Sequence, residues 1–183
     1  MSLGGNFYAL VILDDYSRFT WILFLAAKND KFHAFKRLAK VLENEKSFKI
    51  VSIRSDHGGK FQNEKFEHFW EKHGIKHNFL APRAPQKNGV VERKNRSFEE
   101  LAMTMLNDTS LPKYFWTDAV NTTSYVLNDV FFKGKRIVLT HLKVSGCKCF
   151  ILNNGKEQLG KFEGKTDEGI FLGYATHSHA YKV

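Results

Sequence analysis

The chain has 183 residues, 43% of them hydrophobic and 26% charged. These are ordinary globular values, and at this length about 70% of the unfolded surface can be buried, so a collagen-like or largely disordered chain is excluded. Lys and Arg outnumber Asp and Glu by 28 to 19, a formal net charge of +9, and 14% of residues are aromatic; that balance points to a polyanionic partner.

The length suits one domain, or one domain with a small appendage. No run of 18 apolar residues is present, so no membrane span is expected. Met1-Ser2-Leu3-Gly4-Gly5 has no basic segment leading into an apolar core. The expected setting is therefore intracellular, nuclear or cytoplasmic, and not secreted. Cys147 and Cys149 lie one residue apart. They form no disulfide framework and suit a reducing compartment.

In chain order, the apolar run Phe7 to Leu13 reads as a buried strand, Asp14-Asp15-Tyr16-Ser17 as a turn and Phe19 to Leu25 as a second strand, together a hairpin. Asn29 or Asp30 caps a helix over about 31–46, with Phe32, Phe35, Leu38, Ala39 and Leu42 at helical spacing. Ile50 to Arg54 is a third strand. Asn63 caps a short helix with Phe66, Phe69 and Trp70 on one face, and Gly74 stops it. Ile75 to Leu80 is a fourth strand. Ala81 to Gly89, with Pro82, Pro85 and Gly89, reads as a loop. Val91, Phe98, Leu101, Ala102 and Met105 mark a helix over about 90–107. Ser110-Leu111-Pro112 opens another, with Trp116, Ala119, Val120, Thr123 and Val126 on its buried side. Residues 133–141 are basic and aperiodic and read as a linker. Short apolar runs at Cys149 to Leu152 and Gly169 to Tyr174, with the turn signal Asn154-Gly155, make 142–183 a small β module. The order β-β-α-β-α-β-α-α, then β, implies a mixed sheet covered by helices.

Asp56 lies just beyond a strand end, followed by the open backbone of His57-Gly58-Gly59. Glu92 lies in the first turn of the helix after the Pro/Gly loop, and 35 residues separate the two carboxylates. One helix, one strand and a loop fill that interval, and a right-handed crossover would return the helix start beside the strand end. Two carboxylates meeting there suit Mg²⁺ or Mn²⁺, hard ions that take oxygen ligands and activate phosphate chemistry. The structural alternative makes Asp56 a turn residue and Glu92 a favourable charge near a helix N-terminus, paired with Arg96. Lys87, Asn88, Arg93, Lys94 and Arg96 surround Glu92 and suit a phosphodiester backbone.

Arg54-Ser55-Asp56-His57-Gly58-Gly59-Lys60-Phe61 and Pro85-Gln86-Lys87-Asn88-Gly89-Val90-Val91-Glu92-Arg93-Lys94-Asn95-Arg96 resemble the second aspartate and the glutamate segments of copia-type retrotransposon integrase cores, particularly plant ones. Leu13-Asp14-Asp15-Tyr16-Ser17-Arg18 matches the family's early hairpin, and the likeness runs from Leu3 to about Asn128. From Val144 on, Ser145-Gly146-Cys147-Lys148-Cys149-Phe150 and Gly169-Ile170-Phe171-Leu172-Gly173-Tyr174 resemble the SH3-like module that follows the core in these Pol polyproteins.

The resemblance implies a ribonuclease-H-like α/β core over 1–132, lacking the first strand of the family sheet, and an SH3-like module over 142–183. It implies metal-dependent polynucleotidyl transfer joining element DNA ends to target DNA, with homo-oligomerisation allowed and no membrane partner. The family's first catalytic aspartate lies on the strand before the hairpin and is not matched here; Asp14 and Asp15 match the turn after the next strand. The expectation is an inactive core in which Asp56 and Glu92 hold Mg²⁺ or Mn²⁺ weakly or not at all. Zinc is not expected: His73 and His77 have no accompanying cysteine pair, and Cys147-Lys148-Cys149 offers too few ligands. Residues 133–141 replace a longer family segment. The competing readings are a non-enzymatic nucleic-acid-binding remnant and a basic α/β domain of unrelated function.

Overall fold

A computed structural model describes residues 1–55, 61, 63–79, 85–132, 142–152, 166–175 and 180–183. The strands are β1 (Tyr8–Leu13), β2 (Thr20–Leu25), β3 (Ser52–Ser55), β4 (Lys76–Phe79), β5 (Lys148–Leu152), β6 (Thr166–Ile170), β7 (Gly173–Tyr174) and β8 (Tyr181–Lys182). The helices are α1 (Lys31–Lys46), α2 (Glu64–His73), α3 (Pro85–Asp108) and α4 (Trp116–Phe132). Their order is the expected one. The described strands form four two-stranded sheets, with β3–β4 parallel and β5–β6 and β7–β8 antiparallel. The expected mixed sheet is thus present as separate pairs. The linker 133–141 and the Asn154-Gly155 turn lie outside the described residues.

The chain divides into two compact units, one of residues 7–10 and 23–95, the other of residues 1–6, 11–22 and 96–183. In the first unit α1 and α2 present aromatic stripes. Phe35, Phe66, Phe69 and Trp70 are buried, as are Ala34 and Ala39. Phe66 stacks on Trp70 at 5.3 Å between ring centroids, and Phe35 meets Trp70 edge-on at the same distance. Phe32 meets Phe66 edge-on at 5.1 Å. Each buried ring contributes about 2–3 kcal/mol of burial, and the tilted pairs add to it through the ring quadrupoles. The Asn63 side chain accepts a 3.0 Å bond from the Phe66 N–H and starts α2. Gly74, at φ +64, ends it in the left-handed conformation. The helix then returns the chain to β4, which pairs in parallel with β3 in the register Ile53↔His77. The apolar runs predicted buried strands at β1 and β3; instead β3 alternates exposed and half-buried, and β1 buries only Leu10.

The second unit is built on α3 and α4. Ala102, Leu106 and Ala119 form its core, with Met105, Leu111, Phe115, Trp116 and Val120 packed around them. Leu101, expected in this core, is 40% exposed. The segment predicted to open a helix at Ser110 instead has Ser110 at φ +53, then a single 3-10 turn at Lys113–Phe115 after Pro112, and α4 starts at Trp116. The Asn128 side chain takes both backbone groups of Thr20: its Oδ1 accepts from the N–H at 2.9 Å and its Nδ2 donates to the carbonyl at 2.8 Å.

The segment from Leu142 onward rests on α4 through polar contacts. Thr122 and Ser145 are fully buried. Ser145 Oγ lies 2.9 Å from both Thr122 Oγ1 and the Leu172 carbonyl oxygen, and Thr122 Oγ1 lies 3.5 Å from that carbonyl. Three oxygens therefore share two protons, and no member of the set is left unsatisfied. Tyr125 stacks on Tyr174 at 4.2 Å, and Lys182 pairs with Asp118 at 3.3 Å. A side chain at Gly173 would strike Thr122, and one at Gly146, held at φ +97, would strike Thr109. Removing the Ser145 hydroxyl strands buried oxygens, a cost of about 1–3 kcal/mol. Ser145→Ala is expected to lower the melting temperature by several degrees, whereas Ser2→Ala, outside this network, lowers it less; thermal unfolding of both variants measures this.

Candidate nucleic-acid and metal interface

β3 is described as far as Ser55, the residue before Asp56 in the sequence. Asp56 itself lies outside the described residues, and so does the loop 80–84. Glu92 is carried by α3, where the structure corrects the sequence reading. The helix begins at Pro85, within the segment read as a loop. Proline is compatible with a first helical turn because its missing N–H has no intrahelical partner there. Gly89 then lies inside the helix at a cost of about 1 kcal/mol relative to alanine. Glu92 consequently falls in the third turn rather than the first, and it is exposed. The N-terminal field of a helix fades within its first turn, so a purely dipolar role for Glu92 loses its basis.

The basic residues of the motif separate by face. Arg93 and Arg96 are exposed, whereas Lys94 is half-buried. Burial of Lys94 lowers its ammonium below the usual lysine range. Gly89 gives the Arg93 side chain room to lie along the helix: a Cβ there would stand 3.3 Å from the Arg93 guanidinium. Lys87 and Asn88 are in the first turn of α3. Glu92 and Arg96, four residues apart, share one helical stripe.

Beside the strand end, Ser55 Oγ and His77 Nε2 lie 2.9 Å apart. The His77 ring packs on Trp70 at 5.4 Å, and burial holds its pKa below the ordinary histidine value. Nothing in the sequence pairs these two residues: they are 22 positions apart, and only the parallel register of β3 and β4 brings them together. Among the described residues, no group of three or more His, Cys, Asp or Glu is arranged to hold a metal ion, and no helix is long and apolar enough to cross a membrane.

Asp14 and Asp15 serve the hairpin turn. One Asp14 carboxylate oxygen accepts from the Ser17 N–H at 2.8 Å and from its hydroxyl at 2.5 Å. Asp15 pairs with Arg18 at 3.1 Å, and Arg18 occupies the left-handed region at φ +62. The bonds from Ser17 hold the Asp14 carboxyl below the ordinary aspartate range.

Residues 1–85 match the integrase core domain family, and residues 147–183 the retroviral polymerase SH3-like domain family. The whole chain aligns, at 36% identity, with the retrovirus-related Pol polyprotein from transposon TNT 1-94 of Nicotiana tabacum. It aligns over 95% of its length, at 31% identity, with the corresponding polyprotein from transposon RE1 of Arabidopsis thaliana. It spans only 14% and 12% of those two relatives. Among solved structures, the HTLV-2 integrase catalytic core domain in complex with magnesium is similar with a TM-score of 0.51 and 24% identity, over 67% of this chain and 74% of that one. The simian T-cell lymphotropic virus intasome in complex with PP2A regulatory subunit B56 gamma is similar with a TM-score of 0.54 and 14% identity, over 88% of this chain and 60% of that one.

The fold is therefore the ribonuclease-H-like α/β fold of retroviral integrase cores. Residues 1–85 carry the match to the integrase core domain and residues 147–183 the match to the retroviral polymerase SH3-like domain, and the chain is similar over its length to retrovirus-related Pol polyproteins of plant transposons.

The turn makes a prediction with a definite sign. A depressed folded-state pKa means that ionised Asp14 stabilises the fold above the unfolded value, roughly pH 4, and that this stabilisation is lost as pH falls through the lower folded value. Asp14→Ala is expected to be less stable than the parent at pH 7 and to show a shallower loss of stability below pH 4. Urea unfolding at pH 7, 4 and 3 measures both effects.

Proposed function

We propose that this chain is the integrase core segment of a copia-type Pol polyprotein, a polyprotein that serves DNA integration by metal-dependent polynucleotidyl transfer, and that the chain on its own is an inactive part of that machinery. Element ends and target DNA are its partners. What supports this reading is the match of residues 1–85 to the integrase core domain, together with Glu92 and Arg93 exposed side by side on α3. The proposed division is a core over 1–132 and an SH3-like module over 142–183.

Asp56 and Glu92 are the proposed metal ligands. Carboxylate oxygens are the donor type that Mg²⁺ and Mn²⁺ prefer, and an exposed Glu92 leaves room for the waters those ions retain. When bound, such ions supply activation of an attacking oxygen and stabilisation of a leaving one. The chain's own residues do the remainder. Lys87, Asn88, Arg93 and Arg96 hold the phosphodiester backbone beside the carboxylates, and half-buried Lys94 contributes charge at shorter range to α3 itself. Contacts of this kind fix register on DNA without reading its sequence.

Mn²⁺ is expected to bind the parent chain weakly and to bind Asp56→Asn and Glu92→Gln at least tenfold more weakly. Titration followed by the paramagnetic signal of the free ion measures this. Equal affinity in all three proteins would remove both residues from the site.

DNA binding is expected to fall steeply with salt and to tolerate changes of sequence. Each phosphate contact removed should lower the log–log salt slope by about 1. The triple variant Lys87→Ala, Arg93→Ala, Arg96→Ala is expected to lose about 3, and the triple variant Lys133→Ala, Lys135→Ala, Arg136→Ala less. Equal losses, measured by fluorescence anisotropy across a salt series, would mean diffuse attraction by the net charge and no organised track on α3.

A further inference from the structure

We infer that the solvent face of α1 is a second binding track for the phosphate backbone of a nucleic acid. It takes the same kind of partner as the basic residues of α3 and lies on a different helix. His33, Lys36, Arg37 and Lys40 are all exposed, whereas Ala34, Phe35 and Ala39 are buried. Positions 33, 36, 37 and 40 follow one another at helical spacing, so they form one stripe. That stripe lies on the side of the helix opposite its buried face. No acidic residue occurs between Lys31 and Leu42. The next carboxylate along the helix, that of Glu43, accepts a 3.1 Å bond from the Ile50 N–H. Among the described residues, Lys36, Arg37 and Lys40 form no ion pair.

This order of charge does not serve the helix. A helix favours acidic side chains at its N-terminal end and basic ones at its C-terminal end. α2, in the same compact unit, follows that rule, with Glu64 and Glu67 in its first turn and Lys72 and His73 in its last. α1 does the reverse: its first half holds Lys31, Lys36 and Arg37 and no acid, and its acidic residues, Glu43 and Glu45, both fall in the second half. Lys36 and Lys40 are also like charges four residues apart, which weakens a helix further. A stripe assembled against both local preferences is accounted for by a partner outside the chain. It runs about 10 Å along the helix axis, and one DNA strand presents a phosphate about every 3.4 Å of its own axis, so three cations match the charge of one short strand segment. Protein interfaces are poor in lysine and are anchored by large buried side chains. The stripe has no such anchor, and phosphate contact needs none.

The test measures binding of the full chain to a short labelled DNA duplex by fluorescence anisotropy across a salt series, with thermal unfolding alongside. The triple variant Lys36→Gln, Arg37→Gln, Lys40→Gln is expected to lower the log–log salt slope by about 3 and to melt no lower than the parent. A control of equal charge, Lys65→Gln, Lys72→Gln, Lys76→Gln, removes three exposed lysines outside the stripe and is expected to lower the slope less. Equal losses would mean diffuse attraction by the net charge and overturn the inference. An unchanged slope overturns it too, and a lower melting temperature beside it would make the stripe structural. If the triple variant fails to fold, the single variants carry the comparison, each expected to lower the slope by about 1. A changed oligomeric state by light scattering with an unchanged slope would give the face to a second copy. Poly-glutamate that binds the parent as tightly as the duplex does, and the triple variant less, would give it to an acidic protein; either result overturns the inference. The variant Lys87→Ala, Arg93→Ala, Arg96→Ala separates the two tracks. Loss in the α1 variant alone keeps the track on α1 and removes that on α3, and loss in the α3 variant alone does the reverse.

Discussion

The aromatic layer between α1 and α2 is the constraint on which the candidate site depends. Phe35, Phe66, Phe69 and Trp70 lock α2 against α1, and α2 is the crossover that joins β3 to β4 in parallel. Parallel neighbours cannot be joined by a tight turn, so the path between them needs a connection of this kind. If the layer slipped, the register of β3 on β4 would lose its external support, and the strand end before Asp56 would go with it. Deleting one such ring costs about 3–5 kcal/mol in a typical core, a large share of the 5–15 kcal/mol that holds a domain folded.

The second unit solves a different problem. The contact between α4 and the segment from Leu142 onward joins the Tyr125–Tyr174 ring stack to a set of buried hydroxyls. Hydroxyls at Thr122 and Ser145 take the buried positions, and they are tolerable there because each oxygen has a partner. Polar contacts of this type demand tight geometry, which explains why glycine stands at 173 and 146, where a Cβ would collide with the facing threonines.

Much of this was legible beforehand. The 3.6-residue spacing of Phe32, Phe35 and Ala39 placed α1, and Asn63 with Gly74 bracketed α2, because capping chemistry acts locally and leaves a local signature. The span of α3 was less so. Pro85 and Gly89 have the composition of a loop, yet neither forbids a helix at those positions: proline belongs in a first turn, and glycine is merely costly. That difference moved Glu92 two turns inward and onto an exposed face. Buried Thr122 and Ser145 escaped notice because hydrophobic periodicity registers apolar residues only. The Ser55–His77 contact depends on the pairing of two strands, information that is not present in either segment alone. The carboxylate motif itself, with its 35-residue interval, was plain in the sequence, whereas the exposure of Glu92 required the helix to be seen.

Asn128 has a consequence for association. Among the described residues β2 pairs with β1 alone, and its other side is a template onto which another chain could add itself. At Thr20 that template is already filled: a side-chain amide copies the donor and acceptor of a peptide group and occupies both sites of the rung. An incoming strand would have to displace an intramolecular partner before making its first pair there. The amide of Asn128 thus works as a one-residue stopper on the edge, guarding the start of β2 against the ladder-to-ladder growth by which exposed sheets aggregate.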